Sequence, residues 1–396
     1  MEATAALSTA AQHTVEALLA ARFGTRVRIV GVQRFPFTSV WRCTLAADSG
    51  AGPATVIVRL PRRGASRTGL ARLRNEHAAL EFLSSIGCTL APGFIAGDAT
   101  VGILVSADLG TGPSLLDLLL GHDKVAAVQG LLAFARGLGT LHAQTVGYAS
   151  AYDARRARLG PAEPDATDDV IRFDVADSWQ HVREAVAELG LPQPRGVERD
   201  IDEIARTLAA PAALALSSGD PSPVNCTITQ GAVRLFDFEE ATFRHALIDA
   251  TVLRYLYPTG GPPWRLPQEM TDLIERAYRE EAARGCPDVL DDATYESSMA
   301  AACGAWTIVR MERLRRVEAG PDRDTWPLVP PGWLGPIPTR SRRGQLVATI
   351  ETFTASARRA GTLEALTNWC ADMAGALRVR WPEGAEERPL YPAFAS

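Results

Sequence analysis

Between residues 26 and 61 apolar and polar side chains alternate in three short runs, "RVRIVGVQRF", "SVWRCTLAA" and "PATVIVRLP", separated by polar or Gly/Pro turns. A period of two, rich in β-branched residues, predicts three strands of a sheet with one face buried. The stretches on either side have a different period. "STAAQHTVEALLAA", residues 8 to 21, reads as a helix. In "ARLRNEHAALEFLSSIG" the apolar positions Leu73, Ala79, Leu80 and Leu83 recur at helical spacing, with Gly87 near the end. An apolar run from Ile103 to Val105 predicts a further strand, and Ser114 with Asp117 three residues on is a capping-box pattern that opens a helix.

Most of what remains has helical periodicity. "LLAFARGLGTLHAQ" reads as a long helix, "SWQHVREAVAELG" and "VERDIDEIARTLAA" as a helical insertion, and segments near 266 to 284, 292 to 317 and 342 to 360 as C-terminal helices. Residues 150 to 170, polar and Pro-containing, predict a mobile loop. The Pro-rich stretch "AGPDRDTWPLVPPGWLGPIPTRSRRG" predicts a meandering loop or lid pinned by Trp326 and Trp333. A β pattern returns once in this half: "SSGDPSPVN" leads into "CTITQGAVRLFDFEEA", two short strands joined at Gln230-Gly231.

Length and composition narrow the classes. With 396 residues, 46% of them hydrophobic, the chain has enough material for two lobes with substantial cores. Its amino terminus is too weakly apolar for a signal peptide, and no run approaches the ~18 apolar residues of a membrane span, so the expectation is a cytoplasmic protein without a membrane partner. The six Cys are scattered without a C-x-x-C, a pattern that points to neither zinc nor a disulfide framework. Cys226, in a strand beside Asn225, reads as a buried small hydrophobe. A net charge of -5 argues against nucleic acid as principal partner and is compatible with a cationic one. Nothing in the sequence bears on oligomeric state.

The candidate chemistry lies in the second β region. A hairpin after Asn225 would carry Asp237 back beside Asp220, so that three oxygen-bearing side chains converge, as hard ligands for Mg²⁺ must. One carboxylate to orient or deprotonate an acceptor hydroxyl, with others to hold metal on nucleotide phosphates, is the layout of phosphoryl transfer.

This D-x-x-x-x-N followed by an Asp after a hairpin resembles the catalytic and metal loops of the protein-kinase-like superfamily, and within it the aminoglycoside phosphotransferase family most of all. Where that family usually has His-Gly-Asp, this chain has Ser218-Gly219-Asp220; where it tends to have Asp-Trp-Glu, this chain has Asp237-Phe238-Glu239. The resemblance covers about residues 25 to 255 and implies an α+β, bilobal kinase-like fold. The small β-rich lobe would be residues 1–106 and the large, mainly helical lobe 107–396, with the insertion (about 150–210) and the C-terminal helices (about 260–396) shaping the acceptor pocket.

ATP and Mg²⁺ are the cofactors so implied, with a small hydroxylated molecule as acceptor. Asp220 would handle the acceptor proton, while Asn225 and Asp237 hold the metal. Arg59 stands where the family has a phosphate-binding Lys, in a chain with one Lys and forty Arg, and Glu76 would pair with it. Arg is a longer, bidentate fork and not a neutral replacement. Backbone amides of Thr38 and Ser39 would cover the phosphates from a turn that lacks Gly, and Ala107, Asp108 and Leu109 would form the hinge against adenine. His142 would support the catalytic loop by packing and hydrogen bonding. Asp249 would cap the helix that follows it and steady the same loop. Glu239 and Glu240 could meet an amine on the acceptor. Two other readings stay open: a kinase of Ser or Thr in a peptide, and a pseudokinase, suggested by Arg59, Ser218 and the Gly-free turn, that binds a ligand or partner without catalysis.

Overall fold

The alternating runs become an antiparallel sheet backed by a helix. The computed structural model describes residues 7–35, 38–46, 52–61, 67–160, 174–255, 264–321, 341–382 and 388–395. α1 (Thr9–Phe23) starts at Ser8, whose side chain accepts from the Ala11 amide, and stops at Gly24, whose φ of 69° is the left-handed C-cap that glycine allows. β1 (Ile29–Arg34), β2 (Val40–Leu45) and β3 (Thr55–Arg59) follow, then α2 (Arg67–Ser85), β4 (Phe94–Asp98) and β5 (Ile103–Ala107). The sheet order is β1-β2-β3-β5-β4, antiparallel throughout. β4 has no counterpart in the sequence reading. Its register against β5 shifts between Phe94 and Ala96 and none of its residues is fully buried, so the period-two signal is absent.

Strand alternation divides the sheet into two faces. Val56, Val58, Ile103 and Val105 pack with Val15 and Leu19 of α1 in one apolar core. Leu104, on the opposite face of β5, joins the larger core with Leu73 and Leu80 of α2. Ile57 and Arg59 share Leu104's side of the sheet and line a cleft beneath it.

The second half is helical around two small β pairs. α3 (Leu115–Leu120), α4 (Lys124–Thr145), α5 (Ala149–Arg158), α6 (Val175–Glu188) and α7 (Glu198–Leu208) precede β6 (Leu214–Ser217), β7 (Cys226–Thr229), β8 (Ala232–Leu235) and β9 (Thr242–His245). α8 (Ala246–Ala250), α9 (Gln268–Ala282), α10 (Asp292–Met311), α11 (Leu314–Ala319), α12 (Arg342–Ala360) and α13 (Glu364–Arg380) complete the chain. The capping box at Ser114 is formed, with Asp117 returning a bond to the Ser114 amide at 2.8 Å. α4 lies so close to α9 that a Cβ on Gly139 would sit 2.5 Å from the Tyr278 carbonyl oxygen.

The helical insertion is present, and it packs on the C-terminal helices: Trp179 of α6 meets Trp369 of α13 edge-on at 5.3 Å, and Ile204 of α7 touches α10 at Gly304. α13 escaped the sequence reading because its start lacks a capping signal. Its N-cap is Leu363, at φ 55° with no side-chain bond. The stretch expected to be a mobile loop, 150 to 170, is instead helical through Arg158, and residues 161–170 lie outside the described residues. So do Trp326, Trp333 and most of the Pro-rich stretch, and Pro36 and Phe37 of the Gly-free turn. No helix among the described residues is long and apolar enough to cross a membrane. The arrangement, a β-rich amino-terminal part and a mainly helical carboxy-terminal part, has the α+β make-up expected from the sequence.

Candidate active site

Asp220 follows β6 on a loop held from below. β6 pairs with β9, and at its end the Ser217 hydroxyl donates to Asp249 Oδ1 at 2.6 Å while accepting from the Gly219 amide at 2.9 Å. Arg244 ties the same points together, donating to Asp249 Oδ1 at 2.8 Å and to the Gly219 carbonyl at 3.3 Å. Gly219 has φ 90°, and a Cβ there would lie 2.2 Å from Glu240 Cβ, so only glycine fits. Burial would raise the Asp249 carboxyl, but Arg244, His142 and the Ser217 hydrogen bond hold it down to about 2. Asp249 therefore steadies the loop as expected, but it is not an N-cap. It lies inside α8, whose cap is His245, with Nδ1 accepting from the Leu247 amide. His142 Nδ1 is 2.9 Å from the Tyr278 hydroxyl and its Nε2 3.8 Å from Asp249 Oδ2, a supporting position beneath the loop.

Asn225 faces Asp220 directly. Its amide nitrogen donates to the Asp220 carbonyl at 3.0 Å and to its carboxylate at 3.2 Å. The hairpin beyond it turns at Gln230 and Gly231, both at positive φ (51° and 75°), the type I′ geometry that matches strand twist. Its register returns the chain to the start, because the Phe236 amide donates to the Asn225 carbonyl at 3.0 Å. Asp237 comes next, at φ 66°, a left-handed conformation rare outside glycine that recurs at functional sites.

Across the cleft, Arg59 closes the constellation. Its Nη1 lies 2.7 Å from Glu76 Oε2 and 3.0 Å from Asp237 Oδ1, and its Nη2 donates to Glu239. Burial alone would lower the affinity of this guanidinium for its proton; Glu76, Asp237 and Glu239 outweigh it and hold the group above its ordinary range. Burial pushes the Glu76 carboxyl up to about 7, with Asp237 and Glu239 pushing the same way and Arg59 pulling it part of the way down. Arg72, one turn before Glu76 on α2, pairs with Glu240 at 2.7 Å. Burial nonetheless pushes Glu240 up to about 7.

These groups form one wall of a cavity of about 780 Å³ between the sheet and the helical part. Thr38 and Ser39, Arg59 and Glu76, Asn225 and Asp237, and the connection from Ala107 to Leu109 all line it. Asp220 is not part of this lining and lies behind Asn225. The Thr38 amide turns back to the Phe35 carbonyl, at 3.4 Å, and the Ala107 amide donates to Gly93 at 2.8 Å. The Asp108 carboxylate is held below its ordinary range, since two bonds from Arg42 at 2.6 and 2.9 Å outweigh burial. That side chain braces the connection after β5 against β2.

Two further expectations need correcting. The Thr38 amide, expected over the phosphates, is taken by the Phe35 carbonyl. Glu239 and Glu240 do not face out toward an acceptor amine, since both are engaged by arginines of the small-lobe side. Arg72 went unnoticed although its position, four residues before Glu76, places both on one face of α2. Glu239 as a second partner of Arg59 had no sequence signal, because that contact spans 180 residues.

No family model matches the sequence, and no curated protein matches it. Solved structures with a similar course of the chain include a choline/ethanolamine kinase family protein from Mesorhizobium loti, 16% identical, covering 93% of this chain and 99% of that one at a TM-score of 0.43. An amicoumacin kinase in complex with AMP-PNP and Ca²⁺ is 13% identical, covering 83% and 88%, with a TM-score of 0.45. A GDP complex of aminoglycoside 2'-phosphotransferase-IIIa is 14% identical, covering 88% and 98%, with a TM-score of 0.42. The ligands named there belong to those proteins.

Proposed function

We propose that this protein is an ATP-dependent, Mg²⁺-requiring phosphotransferase that acts on a hydroxyl of a small molecule. The observation that carries the reading is the meeting of Arg59, Glu76 and Asp237 on one wall of a nucleotide-sized cavity, with Asn225 on the same lining and bonded to Asp220.

The donor set suits a hard cation. The nitrogen of the Asn225 amide is directed at Asp220, which leaves its oxygen for a metal, and Asp237 keeps Oδ2 outside the bond to Arg59. Asn225 and Asp237 would hold Mg²⁺, which when bound neutralises the phosphate oxygens. Arg59, fixed in direction by Glu76, supplies a positive fork to the α/β-phosphates. The backbone of Ala107 to Leu109 would border the base, and Thr38 and Ser39, on the same cavity lining, would lie toward the phosphates. Asp220 accepts or orients the proton of the acceptor hydroxyl. The acceptor oxygen then forms a bond to the γ-phosphorus as the bond to the β–γ bridging oxygen breaks, and ADP leaves with that electron pair.

Thermal midpoints with and without ATP or GTP, each with Mg²⁺, test this in the natural chain and in Asp237→Ala. A Mg²⁺-dependent rise of midpoint that is lost in the variant is expected. No rise at millimolar nucleotide would remove the nucleotide site and leave a ligand-binding protein without phosphoryl chemistry.

A further inference from the structure

A second cavity, of about 420 Å³, lies in the helical part and shares no lining residue with the one between sheet and helices. Its volume is within the range of small-molecule pockets, roughly 300–1,000 Å³. Four arginines line it, Arg254, Arg265, Arg359 and Arg388, and among the described residues no aspartate or glutamate does. They are brought together from three parts of the chain. Arg254 follows α8, Arg359 is on the last turn of α12, and a backbone tie joins the other two: the Arg265 amide donates to the Pro389 carbonyl at 2.9 Å and the Tyr391 amide to the Arg265 carbonyl at 3.1 Å. Trp264 and Tyr391, both buried, stack along this tie with ring centroids 5.8 Å apart.

The four cations are not alike. Arg254 meets Glu275 at 2.5 Å and Glu296 at 2.8 Å, and Arg359 meets the same two acids at 3.5 and 2.9 Å. Those acids lie outside the lining, so they hold two guanidinium groups in place without putting negative charge into the cavity. Arg388 is held differently. Its guanidinium lies 4.8 Å from the centroid of the Tyr255 ring, it keeps part of its surface exposed, and no acid among the described residues pairs with it. An aromatic face steadies a guanidinium but offers it no hydrogen-bond acceptor. The cavity therefore presents an orientated, unneutralised fork within a positive lining, which concentrates anions. In the nucleotide cavity, by contrast, Arg59 already faces three carboxylates.

We propose that this cavity is a second ligand site, which takes a small molecule bearing a phosphate or carboxylate group, and that Arg388 pairs with that group. A planar fork binds either anion through two parallel hydrogen bonds. The proposal goes beyond the phosphotransferase reading and does not depend on it.

Thermal midpoints of the intact chain with millimolar inorganic phosphate or succinate, against potassium chloride of equal ionic strength, test it, each with and without Mg²⁺–ATP. At least one anion should raise the midpoint above the chloride control, and the larger rise identifies the group preferred. That rise should persist with Mg²⁺–ATP present, because the two cavities have separate linings. In Arg388→Gln the apparent affinity for the anion should fall by about tenfold or more, the loss of a charge-assisted pair. Arg388→Lys, which keeps the charge and loses the fork, should recover part of it. Ala355 is an exposed position of α12 in the same lining, so Ala355→Glu sets an acid in the cavity and should suppress the anion response with every arginine in place; it serves alone should the Arg388 variants not fold. No rise above chloride, a rise that Mg²⁺–ATP abolishes, or one that survives in both Arg388→Gln and Ala355→Glu would overturn the proposal. An anion response lost in both variants, in a chain that does not respond to Mg²⁺–ATP, would uphold this site while sinking the kinase reading.

Discussion

Two arginines of this protein are in opposite electrostatic states. Arg59, at the end of β3, touches Glu76, Asp237 and Glu239, whereas Arg310, on α10, has Arg313 for a neighbour and, among the described residues, no acid bonded to it. The first is a finished structural element as well as a candidate phosphate ligand. Its pairing carries the cleft wall across the chain, joining the sheet to α2 and to the segment after the hairpin. The second is half-buried, with Nε and Nη2 out of solvent beside the Trp306 ring. The longer reach of Arg over Lys matters here: a guanidinium can meet Glu76 and the acids on the other side of the cleft at once, where a single ammonium is a compact point charge. Arg59 consequently occupies Asp237 before metal does, so metal binding should loosen one of its contacts.

The strongest way to break the comparison is to remove each arginine and measure stability by urea unfolding. Arg59→Gln strands three carboxylates in and around the cleft and should cost about 3–5 kcal/mol. Arg310→Met removes a cation with no acid bonded to it among the described residues and should stay within about 1 kcal/mol of the natural chain; a loss as large as that of Arg59→Gln would mean that Arg310 is structurally paired after all.

Turnover separates the two sides next. Asp220→Asn should reduce phosphoryl transfer at least ~100-fold, while the midpoint rise with Mg²⁺–ATP stays near normal. Equal activity would remove Asp220 from the chemistry. A smaller effect probes the support beneath the acceptor side. Burial, with His142 adding to it, pushes His245 down to about 4. Its unfolded form takes up a proton near pH 6.5, whereas the folded form resists until about pH 4, so the contribution is intact above 6.5 and is lost as pH falls toward 4. Over that window the natural chain should lose about 2–3 kcal/mol more than His245→Gln, as read from urea midpoints at the two ends. Parallel curves would mean that His245 titrates normally. The smallest effect is expected at the connection after β5, where Ser114→Ala removes the capping box and should cost about 1 kcal/mol by the same measurement.

Much of this was legible along the chain. Alternation placed β1, β2 and β3, helical spacing placed α1, α2 and α4, and the pair Ser114 and Asp117 marked the start of α3, because each depends on contacts a few residues apart. β4 and α13 were missed where that local signal fails, one by a register shift and the other by an uncapped start. The same limit applies to the site. Asp220, Asn225 and Asp237 were readable as a group, since a two-residue turn at Gln230 and Gly231 fixes their approach through the hairpin register. Which acids would hold Arg59, that Asp249 would lie inside α8 and serve as a brace, and that Glu239 and Glu240 would be occupied were decided by tertiary structure alone. Pairing of charges depends on burial and on separations of a few ångströms between segments far apart in sequence, and periodicity carries no record of either.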